Sequence, residues 1–258
     1  PLLRATGVSK SFKGIHALRD VSFEVRRGEI LGLVGPNGSS KSTMINCISG
    51  HLALNAGRVE FDGVPVSTLA PHRIARAGIA RTYQIPRPFA QLTVLQNVAL
   101  PAMFGAAALD RRAAEAEAMR LLEFTGLSSK AHALPDDLNL HQRKFLEFAR
   151  ALASRPALLM LDEVLSGLTP SEIDEAVATI RRIRDAGTTI VFVEHVMRAV
   201  MALCDRVVVL NRGELLAEGL PAEVMQRPEV VTAYLGRPPQ PSTDAPAGID
   251  GRPAHARG

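Results

Sequence analysis

The sequence predicts an α/β fold with a mixed, largely parallel core sheet, an antiparallel β subdomain and an inserted helical subdomain. Three observations lead to this class. A short apolar run, a glycine-rich loop and a helical segment follow one another over residues 29–49, strand and helix signals alternate again over 157–210, and an Ala/Glu/Arg/Leu-rich helical pattern lies between them. Strands that alternate with helices pair in parallel, and ligands bind such sheets at the carboxyl ends of the strands.

The N-terminal part predicts β structure. Residues 1–34 alternate short apolar stretches with glycine and charge, as in Val21–Val25, and predict strands that lead into the glycine-rich loop. A hairpin-like segment follows from Val59 to Val66, with Asp62 and Gly63 as its turn.

The glycine-rich loop is a phosphate-binding loop with one substitution. Its residues are Gly35, Pro36, Asn37, Gly38, Ser39, Ser40, Lys41, Ser42 and Thr43. They follow the pattern G-x-x-x-x-G-K-[ST], except that Ser40 replaces the second glycine. The run Glu29–Val34 is typical of a buried strand and Ser42–Ser49 of the helix that follows, which is the setting this motif requires. The sequence therefore predicts a P-loop NTPase.

The residue types of the loop suit nucleotide phosphates. Backbone N–H groups from Gly38 to Lys41 would face the ligand at the positive end of a helix, Lys41 would reach the terminal phosphates, and Ser42 would coordinate Mg²⁺. At Ser40, a Cβ either meets a phosphate oxygen or costs about 1–2 kcal/mol if φ is positive. We expect this to weaken binding roughly tenfold without abolishing it. A glycine turn without a ligand is the disfavoured alternative.

Composition narrows the class of protein. The 258 residues, 47% of them hydrophobic, suffice for one large α/β domain or a core domain plus a small one. The net charge is +4, but the arginines are scattered and aromatic residues are few, so we expect no nucleic-acid partner. We find neither a signal peptide nor an apolar run of roughly 18–20 residues and expect a soluble, intracellular protein. Cys47 and Cys204 are predicted to be buried, reduced thiols.

The remaining elements follow in order. A helical subdomain is predicted over about 86–155, with helical patterns at Ala106–Phe124 and Leu138–Leu152. A further helix is predicted at Ser171–Asp185, and strands are predicted at Ala157–Leu161, Thr188–Val193 and Arg206–Leu210. We assign residues 1–236 to one ATPase-like domain and expect the Pro/Ala/Gly/Arg-rich tail 237–258 to be disordered.

Acidic and imidazole side chains follow two of the predicted strands. Asp162 can hold Mg²⁺ or its water shell, and Glu163 can polarise an attacking water. Glu194 and His195 end the next strand, where an imidazole can touch a γ-phosphate, although a lone histidine is as often structural.

Taken together, these motifs resemble the nucleotide-binding subunit of an ABC transporter over about residues 3–236. The resemblance rests on the P-loop, Gln84 after Arg81-Thr82-Tyr83, the helical insertion, Leu161-Asp162-Glu163, Ser166-Gly167-Leu168 and Glu194-His195. It implies ATP and Mg²⁺ as ligands, with Ser42, Gln84 and Asp162 at the metal. It also implies that Phe12 stacks on adenine, that Gln84 couples the metal site to membrane subunits, and that His195 is a switch histidine. For Phe12 alone, a place in the core is the competing interpretation.

Finer similarity points to the branched-chain amino acid uptake class, through Arg81–Gln84, Leu92–Val98, Glu194-His195 and Ala233–Gly236. Importers of amides or urea share these features. The resemblance implies a second ATP-binding subunit, two membrane-spanning permease subunits and, indirectly, a solute-binding protein. It also implies a peripheral position on the cytoplasmic face of the inner membrane.

The signature segment departs most from that family. The family usually has Leu-Ser-Gly-Gly-Gln, and this chain has Leu138, Asn139, Leu140, His141 and Gln142. We expect His141 to pair with phosphate when protonated and to obstruct the site when neutral. Val164, where the family commonly has proline, is a milder departure.

Two alternatives to a hydrolysing subunit remain at this stage. One is a regulatory, nucleotide-binding partner with impaired hydrolysis in a heterodimeric transporter. The other, which the composition disfavours, is an ATPase acting on nucleic acid or ribosomes.

Overall fold

The computed structural model describes residues 1–235, so the predicted tail lies outside the described residues. The strands described are β1 (Leu3–Phe12), β2 (Ile15–Val25), β3 (Ile30–Val34), β4 (Ala56–Phe61), β5 (Val64–Pro65), β6 (Ile79–Arg81), β7 (Leu158–Asp162), β8 (Thr189–Val193), β9 (Arg206–Asn211) and β10 (Glu214–Gly219). The helices described are α1 (Lys41–Ile48), α2 (Pro71–Ala77), α3 (Val94–Phe104), α4 (Arg111–Phe124), α5 (Leu140–Ala153), α6 (Pro170–Asp185), α7 (Met197–Leu203), α8 (Pro221–Val224) and α9 (Pro228–Leu235).

The strands form two sheets, as the sequence predicts. The core sheet has the order β10-β9-β3-β8-β7-β6, in which β10 alone is antiparallel to its neighbour. The second sheet has the order β2-β1-β4-β5 and is antiparallel throughout. Because β3, β7 and β8 run in parallel, their carboxyl ends meet at one edge of the core sheet.

Apolar layers cover both faces of the core sheet. Strands β3, β7 and β8 are buried at every position, which is typical of a parallel sheet that is packed on both sides. On one face, Ile30, Leu159 and Phe192 join the cluster of α3 to α7. On the other, Leu31 and Met160 join a cluster with α1 and the antiparallel sheet. The P-loop helix is thereby held between the two sheets.

The predicted hairpin turn is confirmed in the antiparallel sheet. Asp62 and Gly63 connect β4 to β5, and both have positive φ values, 51° and 77°. Two consecutive left-handed residues form the tight turn that matches the twist of paired strands.

One predicted helix begins later than expected. The Ala-rich helical pattern predicts a helix from Ala106, but α4 begins at Arg111. The Asp110 side chain accepts a hydrogen bond from the N–H of Ala113 at 2.9 Å and therefore caps the helix there. Helices α3, α4 and α5 lie between β6 and β7 in the chain, and the limits of the inserted subdomain stay a prediction.

Candidate functional site

The P-loop connects β3 to α1 at the carboxyl edge of the core sheet. Gly35 has φ 147°, and a Cβ there would lie 2.1 Å from the carbonyl oxygen of Leu210, so this position excludes a side chain. Ser40 has φ 77° and ψ 22°, which is the left-handed conformation expected for the missing glycine. Its side chain makes no capping hydrogen bond to α1. The cost at Ser40 is therefore one of backbone conformation.

Lys41 lies over its own loop. Its Nζ donates hydrogen bonds to the carbonyl oxygens of Gly35 at 2.9 Å and Pro36 at 3.1 Å. Burial lowers the pKa of Lys41, an effect that the charges of Glu163 and Asp162 oppose. The ammonium group is thus a partly desolvated cation that experiences the charge of two carboxylates.

The predicted acids and Gln84 meet next to this loop. Asp162 is the last residue of β7, and the N–H of Glu163 donates to the carbonyl oxygen of Val193 at the end of β8. Glu163 has φ 48°, an uncommon conformation for a residue with a side chain. Nε2 of Gln84 donates to Oε2 of Glu163 at 2.6 Å. This bond uses the amide nitrogen of Gln84, so the amide oxygen remains available as an acceptor.

Glu194 and His195 differ sharply in exposure at the end of β8. The Glu194 side chain is fully buried, accepts the N–H of Leu165 at 2.8 Å, and has a pKa raised by that burial. The His195 side chain is 52% exposed, with Nδ1 3.9 Å from the Glu194 carboxylate. His195 therefore presents its imidazole at the surface of the predicted site.

Phe12 is not a core residue. It ends β1, is 43% exposed, and has the Lys10 ammonium 5.2 Å from the centre of its ring. Its exposed ring face can stack on a planar base.

The signature segment caps α5. Oδ1 of Asn139 accepts the N–H of Gln142 at 2.8 Å, and Oε1 of Gln142 accepts the N–H of Asn139 at 3.1 Å, which forms a capping box. The His141 ring packs 4.4 Å from the Phe145 ring, with Nε2 3.2 Å from a Glu175 carboxylate oxygen on α6. Only 19% of the His141 side chain is exposed. Its own subunit therefore covers most of this ring, and the expectation that the neutral ring obstructs the site stays a prediction.

Oxygen donors suited to Mg²⁺ come from three elements. Ser42 lies in the first turn of α1, Gln84 follows β6, and Asp162 ends β7. Hydroxyl, amide and carboxylate oxygens are the ligands that a hard divalent cation prefers. Within residues 1–235, His, Cys, Asp and Glu form no cluster of three or more that could hold a metal by themselves. The donor set therefore fits a cation that is shared with phosphate.

One partner of Asp162 was missed from the sequence. Arg81, at the end of β6, donates from Nη2 to Oδ2 of Asp162 at 2.8 Å. The two residues are 81 positions apart, and no local pattern joins them. A charged residue at the end of a short, mostly apolar strand was the one available signal.

Sequence comparison decides the family. The ABC transporter family pattern matches residues 18–166, which is more than half of the chain. The chain belongs to the ABC transporter ATP-binding family. A second pattern, described as that of the branched-chain amino acid ATP-binding cassette transporter, matches residues 214–238.

Curated relatives of this family cover nearly the whole chain. The high-affinity branched-chain amino acid transport ATP-binding protein BraF of Pseudomonas aeruginosa is 34% identical over 250 residues, 92% of this chain and 98% of BraF. The corresponding protein LivG of Escherichia coli is also 34% identical, over 252 residues, with the same two shares covered.

Solved ABC cassettes have the same fold. A nucleotide-free ATP-binding cassette of an ABC transporter has a TM-score of 0.82 and 29% identity, over 92% of this chain and 99% of that one. A dimeric bacterial cassette has a TM-score of 0.77 and 26% identity, over 85% and 98%. The predicted fold class is confirmed, and the chain is a nucleotide-binding ATPase of the transporter type.

Proposed function

We propose that this chain is the ATP-binding and ATP-hydrolysing subunit of an ABC importer for branched-chain amino acids or related small solutes. The observation that carries the proposal is the 2.6 Å hydrogen bond from Gln84 to Glu163 beside the P-loop. It joins an amide and an acid at the place where an attacking water would be activated. The names of the curated relatives favour this class of solute.

The P-loop and Phe12 would bind ATP. The residues from Gly35 to Thr43 would cradle the phosphates with backbone N–H groups at the positive end of α1. Lys41, already partly desolvated, would exchange its bonds to loop carbonyls for stronger bonds to phosphate oxygens. Phe12 would stack on adenine with the ring face that β1 leaves exposed.

Hydrolysis would use residues of α1 and residues at or just beyond the ends of β6, β7 and β8. Ser42, Gln84 and Asp162 would hold Mg²⁺, which when bound neutralises charge on the phosphate oxygens. Glu163 would accept a proton from the attacking water, while the bond from Gln84 fixes the direction of its carboxylate. The exposed imidazole of His195 would reach the γ-phosphate.

Assembly follows from how the family works. ABC ATPase subunits dimerise and act with permease subunits. Here we propose a second ATP-binding subunit, same or different, whose signature segment closes the P-loop site of this chain, and two membrane-spanning permeases. A solute-binding protein would contact the permeases. None of the helices described between residues 1 and 235 has the length and apolar character of a membrane span, and we propose a peripheral position on the cytoplasmic face.

In the proposed dimer, the Leu138–Gln142 segment would form part of the partner chain's ATP site. The two composite sites would each join the P-loop of one chain to the signature of the other. The altered signature of this chain would then serve the partner's P-loop, and the ATP site on this chain would depend on the partner's signature. A regulatory role without hydrolysis is disfavoured, because Lys41, Gln84, Asp162 and Glu163 lie together in one site.

Solute uptake into vesicles tests the proposal. The subunit is assembled with its permeases in vesicles that contain ATP, with the solute-binding protein on the outside. Uptake of labelled leucine is then compared with that of urea and of a short aliphatic amide. We expect leucine uptake that Lys41→Ala in this chain abolishes. Uptake of urea or amide in place of leucine would keep the ATPase role and refute the solute class. Uptake that is unaffected by Lys41→Ala would refute the energy-coupling role of this chain.

A further inference from the structure

Arg81 lies between the three elements that carry the proposed metal ligands. From the end of β6, Nη2 donates to Oδ2 of Asp162 at 2.8 Å and Nη1 donates to Oδ1 of Asn46 on α1 at 2.5 Å. Gln84 lies three residues beyond Arg81 in the same chain segment. One guanidinium group therefore ties the P-loop helix, the end of β7 and the start of the Gln84 segment together.

The surroundings hold this guanidinium in place. The side chains of Arg81 and Asp162 are only 10% and 7% exposed. The Tyr83 ring centre lies 5.0 Å from the guanidinium carbon, which is a cation–π distance. The backbone N–H of Asp162 in turn reaches the Thr82 hydroxyl at 3.3 Å. Asp162 is thus fixed at its backbone and at its carboxylate by two consecutive residues.

A carboxylate this deeply buried needs a positive partner. An isolated buried charge is strongly destabilising, and removing one member of a buried ion pair costs far more than replacing both members with neutral groups. In the proposed function, Mg²⁺ supplies positive charge next to Asp162 in the wild-type site only when nucleotide is bound, because Arg81 occupies the carboxylate at other times. The cassette must keep the same carboxylate in place between rounds of nucleotide binding.

We propose that Arg81 is a positioning residue that serves as the resident counter-ion of Asp162, holding this carboxylate in its orientation in the absence of a divalent cation. The inference rests on the proposed function, since it takes Asp162 as a metal-facing acid. A guanidinium and a divalent cation then act on the same negative charge. Removal of Arg81 makes the folded protein depend on the cation, because within residues 1–235 no other cationic side chain hydrogen-bonds the Asp162 carboxylate. The Lys41 ammonium also experiences the charge of Asp162, but it donates its bonds to the carbonyl oxygens of Gly35 and Pro36.

Thermal unfolding of the full chain, free of nucleotide and divalent cations, is the first test. We expect Arg81→Gln to lower the Tm by about 10 °C, as for a broken buried pair in a domain of this size. The double variant Arg81→Gln/Asp162→Asn, which removes both charges, should recover at least half of that loss. Arg198→Gln is the matched control, because its 2.6 Å pair with Asp174 is exposed, and it should change the Tm by no more than about 2 °C.

Addition of Mg²⁺ without nucleotide is the second test and separates positioning from a purely structural role. We expect saturating Mg²⁺ to raise the Tm of Arg81→Gln by about 4 °C, and to leave wild type, Arg81→Lys and the double variant unchanged. Arg81→Lys keeps the positive charge and therefore keeps Asp162 compensated.

Three results would overturn the proposal. The first is a double variant whose Tm is no higher than that of Arg81→Gln. The second is an equal change in the Tm of all variants when Mg²⁺ is added. The third is a double variant that does not fold. If Arg81→Gln itself does not fold, the folded double variant still supplies the comparison. These measurements contain no ATP, so failure of the proposed hydrolysis would leave them unaffected.

Discussion

Replacing Ser40 with glycine tests the backbone cost in the P-loop. Ser40 has φ 77° and ψ 22°, and its side chain makes no capping hydrogen bond that the substitution would remove. A left-handed conformation costs a residue with a Cβ about 1–2 kcal/mol. Glycine removes this cost but gives back about 0.5–1 kcal/mol through the greater freedom of the unfolded chain. The expected net gain is about 1 kcal/mol, which raises the Tm by about 2–4 °C in a domain of this size.

Nucleotide affinity should respond less than stability. The backbone of residue 40 has the same conformation in both proteins, so its cost belongs mainly to folding. We therefore expect Mg-ATP affinity to change by less than roughly tenfold, which corresponds to about 1.4 kcal/mol. A larger gain in Ser40→Gly would mean that the Ser40 Cβ meets a phosphate oxygen, which is the other cost predicted from the sequence.

Calorimetric titration with Mg-ATP and thermal unfolding measure the two effects separately. Ser40→Ala keeps the Cβ without the hydroxyl and should match wild type in stability. Ala108→Gly relieves an exposed left-handed residue with φ 45° between α3 and α4 and should raise the Tm without changing Mg-ATP affinity. The reasoning is refuted if Ser40→Gly is no more stable than Ser40→Ala.

Three further predictions concern other parts of the molecule. Burial raises the pKa of the Cys47 thiol to about 11, and only the thiolate reacts with iodoacetamide. At pH 8, mass spectrometry should therefore show that Cys47 is labelled at least about 100-fold more slowly in the folded than in the unfolded chain. Rapid labelling of folded protein would contradict this. Asp110→Ala removes the cap of α4 and should lower the Tm by about 2–4 °C, whereas an unchanged Tm would refute the capping role. Phe12→Ala should weaken Mg-ATP binding at least about fivefold in a calorimetric titration and leave the Tm nearly unchanged, since the ring is exposed. Equal affinity would remove Phe12 from the adenine site.

Local chemistry explains what was predictable in the fold. The apolar runs of β3, β7 and β8 identify buried parallel strands, and Asp62-Gly63 identifies a hairpin turn, because each feature depends on neighbouring residues alone. The start of α4 was misplaced since helical propensity was given more weight than the Asp110 cap, although the cap is itself a local signal.

Long-range pairing explains what was missed at the site. The strain at Ser40 was predicted because a motif sets the backbone conformation of each position in it. The Arg81–Asp162 pair was not predicted, because register between β6 and β7 brings together residues that an inserted set of helices separates. The packing of His141 was missed for the same reason, since its contact with Glu175 joins α5 to α6.

ATP turnover by the assembled transporter, with Glu163→Gln introduced in this chain only, tests the central claim most directly. If Glu163 is the general base of a hydrolysing subunit, the substitution should reduce turnover at the ATP site on this chain by at least about 100-fold while Mg-ATP still binds. Glu115→Gln, an exposed substitution of the same chemistry on α4, should leave turnover unchanged. Equal ATP turnover in wild type and Glu163→Gln would contradict the account and leave this chain as a nucleotide-binding partner whose energy comes from another subunit.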